Sequence, residues 1–251
     1  MHIFIDTYGV WIDVDEEQFQ IRNAEQSRKI SPYKLSGIHL YKPCSITTPA
    51  LLLAAAHEIP VLIYDNTSRV QVWTWSHKYG SIADLRVRQA FYSHSDDKNG
   101  WIKHLISMKI DGQRSNLAWI KNRVPRKSAV IELADTQLRT FATSLADKQD
   151  GQGIRSMEAL SAKIYWDQVF DALGDRLDAD KRYKRGAEDA FNGALNYCYG
   201  MMYGWVESSL LMKGLDPYMG LHHVHRYDKP ALAFDHIEPF RPWADKYVMQ
   251  L

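Results

Sequence analysis

Short runs of β-branched and aromatic residues, separated by polar or turn-prone stretches, mark the first part of the chain. "HIFI" (2–5), "VWIDV" (10–14), "FQIR" (19–22), "GIHLY" (37–41), "IPVLIY" (59–64) and "RVQVWTW" (69–75) read as strands. Between two of them lies "TTPALLLAAAHE" (47–58), which reads as a helix. Thr48 can cap it, Pro49 suits the first helical position, and the alanine and leucine run propagates it. After about Gly80 the apolar period changes from two to nearly four. "SIADLRVRQAFYS", "GWIKHLISMKIDGQRSNLAWI", "VIELADTQLRTFATSLAD", "SMEALSAKIYWDQVFDALGDRL" and "EDAFNGALNYCYGMMYGWVESSLLMKG" all place apolar residues three or four apart. The fourth is the clearest, since Leu160, Ile164, Trp166, Val169, Phe170, Leu173 and Leu177 make a broad apolar face, with Gly174 as a candidate interruption. Polar connections such as "KQDGQG" and "DADKRYKRG" separate the helices, and there is no internal repeat. The pattern predicts an α+β chain: an N-terminal β-rich domain with one helix over 1–80, followed by a larger all-helical domain over 81–251.

One segment raises the question of a membrane. "AFNGALNYCYGMMYGWV" (190–206) carries no formal charge and approaches the length of a spanning helix. It also holds Asn192, Asn196 and three tyrosines, with acidic residues beyond both ends, so it reads as a buried core helix. Gly193, Gly200 and Gly204 fall at helical spacings and predict a thin side that another helix can approach closely.

Composition narrows the class without deciding it. A chain of 251 residues with 45% hydrophobic and 24% charged residues has the make-up of a folded protein of one or two domains. The formal charge of +1 announces no nucleic-acid protein by itself, so such a surface must come from local clusters. Cys44 and Cys198 match no zinc or redox spacing and read as unpaired buried thiols of a reducing cytoplasm. The start, "MHIFIDTYGV", lacks the basic region and long apolar stretch of a secretory signal.

The tail carries the chemistry. Pro230 fits a helix start, and "ALAFDHIE" then places Asp235 and Glu238 about one turn apart on one face. Two carboxylates so placed repel unless something positive lies between them, and a divalent cation is one such thing. The bland alternative is a solvated helix face. Pro239 and Pro242 end or kink the helix immediately after Glu238. Just upstream, His222, His223 and His225 could supply two ligands to zinc, or to ferrous iron with one carboxylate. A single histidine with two or three carboxylates instead suits Mg²⁺ or Mn²⁺, whose usual chemistry is on phosphates.

"MEALSAKIYW", then "FNGALNYCYGMMYG", then "GLDPYMGLHHVHRYDKPALAFDHIEPFRP" resemble the CRISPR-associated integrase family, the Cas-one proteins of spacer acquisition. "ITTPALLLAAAHEIPVLIYD" and "WSHKYGSIADLRVRQ" are similar to that family's N-terminal domain and interdomain region, so the resemblance covers most of the chain. It implies that the helical domain is the catalytic one, with metal ligands at Glu158, His223 and Glu238. Asp235 resembles an additional acidic residue beside that site, and Asn192 and Asn196 match polar positions that line it or bond inside the helix bundle. The implied chemistry is phosphodiester transesterification assisted by Mg²⁺ or Mn²⁺, in which the 3′-OH of a protospacer duplex attacks a phosphate of the CRISPR repeat. The implied partners are double-stranded DNA, a second copy of the chain as homodimer, and the small Cas-two protein, in the cytoplasm of a prokaryote and with no membrane.

Contacts to DNA are expected from two clusters. "KNRVPRK" (121–127) offers Arg123, Arg126 and Lys127, and "DKRYKRG" (180–186) offers Lys181, Arg182, Lys184 and Arg185, with Arg86 and Arg88 behind them. Trp119 and Tyr183 stand near them as stacking or core residues. Two departures from the family pattern stand out. The chain stops shortly after "FRPWADKYVMQL", where family members continue through further helices, and Asp228 occupies a position where the family often has glycine. Two other readings remain: a DNA-binding scaffold that uses the site weakly, and a zinc or iron enzyme built on the histidine cluster.

Overall fold

The computed structural model describes residues 1–74, 76, 82–148, 150–223 and 229–251. The chain is α+β and divides into two compact units, one formed by residues 1–87 with 207–215 and the other by 88–206 with 216–251.

The first unit holds the strands. β1 (His2–Ile5), β5 (Gly37–Leu40) and β7 (Val61–Tyr64) run parallel, and β8 (Val70–Trp73) closes that sheet antiparallel to β7. The second sheet has the order β4 (Ser27–Ile30), β3 (Gln18–Arg22), β2 (Trp11–Asp15), β6 (Ser45–Ile46). Parallel neighbours need a crossover, and α1 (Thr48–Ala56) supplies the one between β5 and β7. Ile12, Phe19, Ile38, Ala50, Ala54 and Val61 form the buried centre between sheets and helix. The cap of α1 is Thr47, one residue before the expected Thr48. The Thr47 hydroxyl accepts from the Ala50 N–H at 3.4 Å and donates to Asp13 at 2.7 Å, a second anchor that fixes the choice of cap.

The second unit is helical and is organised around α3 (Lys98–Arg123), which packs against α4 (Ser128–Ser144), α5 (Gly151–Leu177) and α8 (Arg241–Gln250). Ile102, Ile106, Ile110, Leu117 and Ile120 recur along its buried face, each contributing about 1.5–3 kcal/mol on full burial. Lys109, Gln113 and Asn116 share that face. α5 continues through Gly174, but its buried face runs through Ile154, Ser161, Tyr165, Val169 and Leu173, so that Leu160 is 47% exposed rather than part of the expected stripe.

α2 (Ile82–His94) and α6 (Ala190–Met212) complete the long helices, and among the described residues no helix is long and apolar enough to cross a membrane. A side chain added at Gly193 or Gly200 would meet nothing within 4 Å, so the expected close helix approach is absent at those two positions. The close approach lies instead at Gly112 of α3, where a Cβ would come within 2.8 Å of the Pro242 ring at the start of α8. Pro239 and Pro242 stand where the α-helical path is interrupted and resumes. α7 (Ala231–His236) is followed by a 3-10 turn, Glu238–Phe240, and then by α8, with a proline in the first turn of each of the last two, where its missing N–H has no helical partner to lose. Cys44 and Cys198 are free and half-buried.

Candidate metal and phosphate site

Glu158 falls on the buried face of α5, four residues after Ile154 and three before Ser161, so the helix period alone aims a carboxylate inward. Glu238 opens the 3-10 turn and is buried. Between them reaches Lys109 of α3: its Nζ lies 2.7 Å from Glu158 Oε1 and 2.5 Å from Glu238 Oε2. The lysine side chain is 7% exposed and that of Glu238 3%. The first contact is a hydrogen bond; the second is an ion pair without hydrogen-bond geometry, which leaves Glu238 Oε2 buried with no donor.

Burial disfavours both carboxylates, yet each is held below its ordinary pKa. His222 and Lys109 do this for Glu158, Arg241 and Lys109 for Glu238. Burial likewise disfavours the ammonium, but Glu238 and Glu158 overcome it and raise the Lys109 pKa. Arg241 Nε donates to Glu238 Oε1 at 2.8 Å, and its guanidinium lies 4.7 Å from the centre of the Tyr199 ring while bonding the Tyr203 hydroxyl. Behind it the Tyr199 hydroxyl donates to Asp245, whose carboxyl burial pushes up to about 6. Asn116 ties the same layer together, donating to the Tyr165 hydroxyl at 3.0 Å and to the Pro242 carbonyl at 2.7 Å.

The histidines divide between two carboxylates. His222 is buried, its Nε2 lies 3.0 Å from Glu158 Oε2, and its Nδ1 has no partner among the described residues. His223 places Nδ1 2.6 Å from Asp235 Oδ1, and Asp235 also accepts the backbone N–H groups of Leu221, His222 and His223 at 2.6, 3.0 and 3.0 Å. Asp235, expected from the sequence beside the metal ligands, has its oxygens used by three backbone donors and an imidazole, which tie it to the loop. Burial acts against the Asp235 carboxylate, but those bonds keep its pKa lowered. Burial acts against the His223 imidazolium too, but Asp235, Glu238 and Glu158 keep its pKa raised. His225 and Asp228 lie outside the described residues.

Lys109 and Arg241 touch the candidate carboxylates and are two residues that sequence reasoning missed. The available signal for Lys109 was its place on the apolar stripe of α3, where a charged side chain has no reason to be unless a partner awaits it. Among the described residues no group of three His, Cys, Asp or Glu side chains stands ready to hold a metal ion. The structure shows why: an ammonium fills the place between the two carboxylates, and the His223 ring is turned to Asp235. Two buried carboxylates that already share one cation, one of them with an oxygen lacking any donor, nonetheless make a donor set that fits a hard divalent ion.

The basic residues differ in their surroundings. Arg123 and Arg126 are exposed and, with Arg176, line a concavity of about 640 Å³. The Arg123 guanidinium sits 4.0 Å from the centre of the Trp119 ring. Lys127 is paired with Asp171 at 2.8 Å. Lys181, Lys184 and Arg185 are exposed, Lys181 lying over the Tyr183 ring. Arg182 turns inward, donating to Asn192 at 2.9 Å and Asn196 at 2.7 Å. Those two amides therefore anchor the 181–183 segment, to which Asn192 also bonds through the Tyr183 N–H and the Lys181 carbonyl. In α2, Arg86 Nε lies 3.5 Å from the Gly214 carbonyl, and Arg88 is exposed.

Comparison with known proteins shows the family of the chain. The family model described as "CRISPR associated protein Cas1" matches residues 3–251. The "CRISPR-associated endonuclease Cas1 2" of Saccharolobus solfataricus is 28% identical over 249 residues, which cover 97% of this chain and 72% of that one. Among solved structures, a "Partial Cas6-RT-Cas1--Cas2 complex" superposes with a TM-score of 0.80 at 20% identity, over 100% of this chain and 75% of that one. A "Casposase bound to integration product" gives 0.73 at 22% identity, over 100% and 76%.

Proposed function

The chain belongs to the Cas1 family of CRISPR-associated proteins, and on that premise we propose that it is a divalent-metal-dependent DNA endonuclease and integrase of CRISPR adaptation. The observation that carries this reading is the pairing of Glu158 and Glu238, brought from two separate elements to within 2.7 and 2.5 Å of one shared cation in a buried setting. Such a pair has little structural use of its own, because a buried ion group is weak support for stability. It has an obvious use in holding a metal against a phosphodiester.

Glu158 and Glu238 would hold the ion, with His223 as third ligand. The Nδ1 of His223 is fixed on Asp235, which leaves Nε2 as the nitrogen free to bind, the arrangement usual for a metal-binding histidine oriented by an outer carboxylate. Asp235 is in this scheme the orienting group. Mg²⁺ or Mn²⁺, when bound, polarises the scissile phosphate and stabilises the leaving oxygen. Arg241 keeps Glu238 ionised and fixes its rotamer, and the Tyr199–Asp245 layer holds Arg241 in turn. The 3′-OH of a protospacer duplex then attacks a phosphate of the repeat, one P–O bond forming as another breaks and a new 3′-OH leaving. Exposed Arg123, Arg126, Lys181, Lys184 and Arg185 contact DNA phosphates. A homodimer, joined by the small Cas2 protein, carries this out in the prokaryotic cytoplasm. Its similar proteins support the same reading, being named as an endonuclease, as part of a Cas1–Cas2 complex and as a casposase bound to integration product.

One observation favours a second reading, a DNA-binding scaffold: the ammonium already seated between the carboxylates. A cleavage assay with labelled branched DNA decides between them. Wild type cuts with Mg²⁺ or Mn²⁺ and is silenced by chelator, and Glu158→Gln and Glu238→Gln bind DNA without cutting. Cutting that survives both substitutions refutes the proposal, and salt-sensitive binding with no cutting by any form supports the scaffold.

A further inference from the structure

We propose that Lys109 is the resident counter-ion of the Glu158–Glu238 pair and competes with the divalent ion for the same place, so that metal binds only as the ammonium leaves. This rests on the reading of those two carboxylates as the metal site.

The geometry admits one cation at a time. Lys109 Nζ is within 2.7 Å of one carboxylate and 2.5 Å of the other. An ion bridging the same oxygens at the roughly 2.0–2.2 Å typical of Mg²⁺ and its neighbours needs the volume the nitrogen fills. Charge points the same way. Glu158 and Glu238 bring two negative charges, and Lys109 and Arg241 two positive ones, all four in direct contact with one another through the carboxylates. The group is therefore balanced before any metal arrives, and a dication added to it would face two fixed positive charges in a poorly screened interior. Moving Lys109 away removes one of them and frees one oxygen of each carboxylate.

The lysine also has somewhere to be only while the pair holds it. It is on the buried stripe of α3, between Ile106 and Ile110, where an ammonium persists only if paired. Its contact with Glu238 Oε2 is the shorter of its two attachments, and its contact with Glu158 Oε1 is the one with hydrogen-bond geometry. A ligand that takes both oxygens leaves the ammonium without either attachment.

The test is Mn²⁺ binding to the full chain, read by the loss of the free-ion electron paramagnetic resonance signal, for wild type, Lys109→Met and Glu238→Gln. Lys109→Met binds Mn²⁺ at least roughly tenfold more tightly than wild type, and Glu238→Gln binds more weakly. Because Lys109→Met leaves two buried carboxylates uncompensated, a second measurement uses the unaltered protein: acetic anhydride labelling of lysines, followed by mass spectrometry. Lys109 reacts slowly without the ion and faster with it. If wild type binds Mn²⁺ through Glu238 but Lys109→Met binds no tighter, or Lys109 labelling is unchanged at saturating Mn²⁺, the inference is overturned while the metal site stands. If neither wild type nor Lys109→Met binds Mn²⁺, both fall.

Discussion

Asp235→Asn is the sharpest probe of how the site is held. The carboxylate is buried and accepts four donors, two on each oxygen: Leu221 and His222 N–H on Oδ2, His223 N–H and ring nitrogen on Oδ1. A carboxamide of the same shape has a single oxygen. In either orientation one pair of donors loses its acceptor and faces an NH₂ group instead. Hydrogen bonds to a charged acceptor contribute about 1.5–3 kcal/mol each, so losing two costs roughly 3–6 kcal/mol. For a chain of this length about 2–4 °C of Tm follows each kcal/mol, which puts the drop on the order of 10 °C. Thermal and urea unfolding followed by circular dichroism measure it. The same substitution releases His223 from its orienting contact, so strand joining should fall with it, and added Mn²⁺ should restore less stability than it gives wild type. A variant within about 0.5 kcal/mol of wild type would refute the reasoning, because it would mean the loop from 221 to 223 is held by something other than this carboxylate.

Three further outcomes follow from the same geometry. The His223 pKa is raised from 6.5, so its bond to Asp235 contributes fully below that value and is lost as pH rises through the higher folded value; the stability gap between wild type and His223→Ala should narrow from about pH 6 upward, and a gap that widens contradicts the pairing. Gly112→Ala drives a methyl into the Pro242 ring at 2.8 Å and should cost about 1–3 kcal/mol in a denaturant titration, whereas Gly193→Ala, with open space around it, should be neutral or slightly stabilising. Arg126→Ala and Arg185→Ala should each lower the slope of log DNA affinity against log salt by about 0.9 per lost phosphate contact without touching stability, while Arg182→Ala should destabilise the protein instead.

The strands that the sequence makes plain are those rich in apolar and β-branched residues; "IPVLIY" buries all of its residues but Ile63, and "HIFI" buries Ile5. β4, "SRKI", escapes notice because three of its four residues are exposed, and β6 because it is two residues long. The switch to helical periodicity is legible throughout the second half, yet α8 is not, since two prolines read as stops until their place in the first turn of an element is known. For the site, Glu158 is reached only through the family resemblance, whereas Glu238 is also legible as half of an acidic pair. The roles within the tail are not. Asp235 and Glu238 look equivalent in sequence, but one faces three backbone N–H groups and the other a lysine and an arginine, a difference made by the return of the 221–223 loop. Lys109 stands on an apolar stripe, but what it pairs with is not legible: its two partners lie 49 and 129 positions away along the chain and meet it only once α3, α5 and the 3-10 turn are packed.

Strand transfer tests the central claim most directly. Purified protein, with and without a Cas2 partner, is mixed with a labelled duplex bearing free 3′-OH ends and a supercoiled plasmid carrying a CRISPR repeat, in Mg²⁺ or Mn²⁺. Covalent joining of label to plasmid is expected from wild type, with none in chelator and none by Glu158→Gln or Glu238→Gln at protein levels where both still bind DNA. Joining that persists when either carboxylate is replaced would show that the chemistry lies elsewhere in the fold.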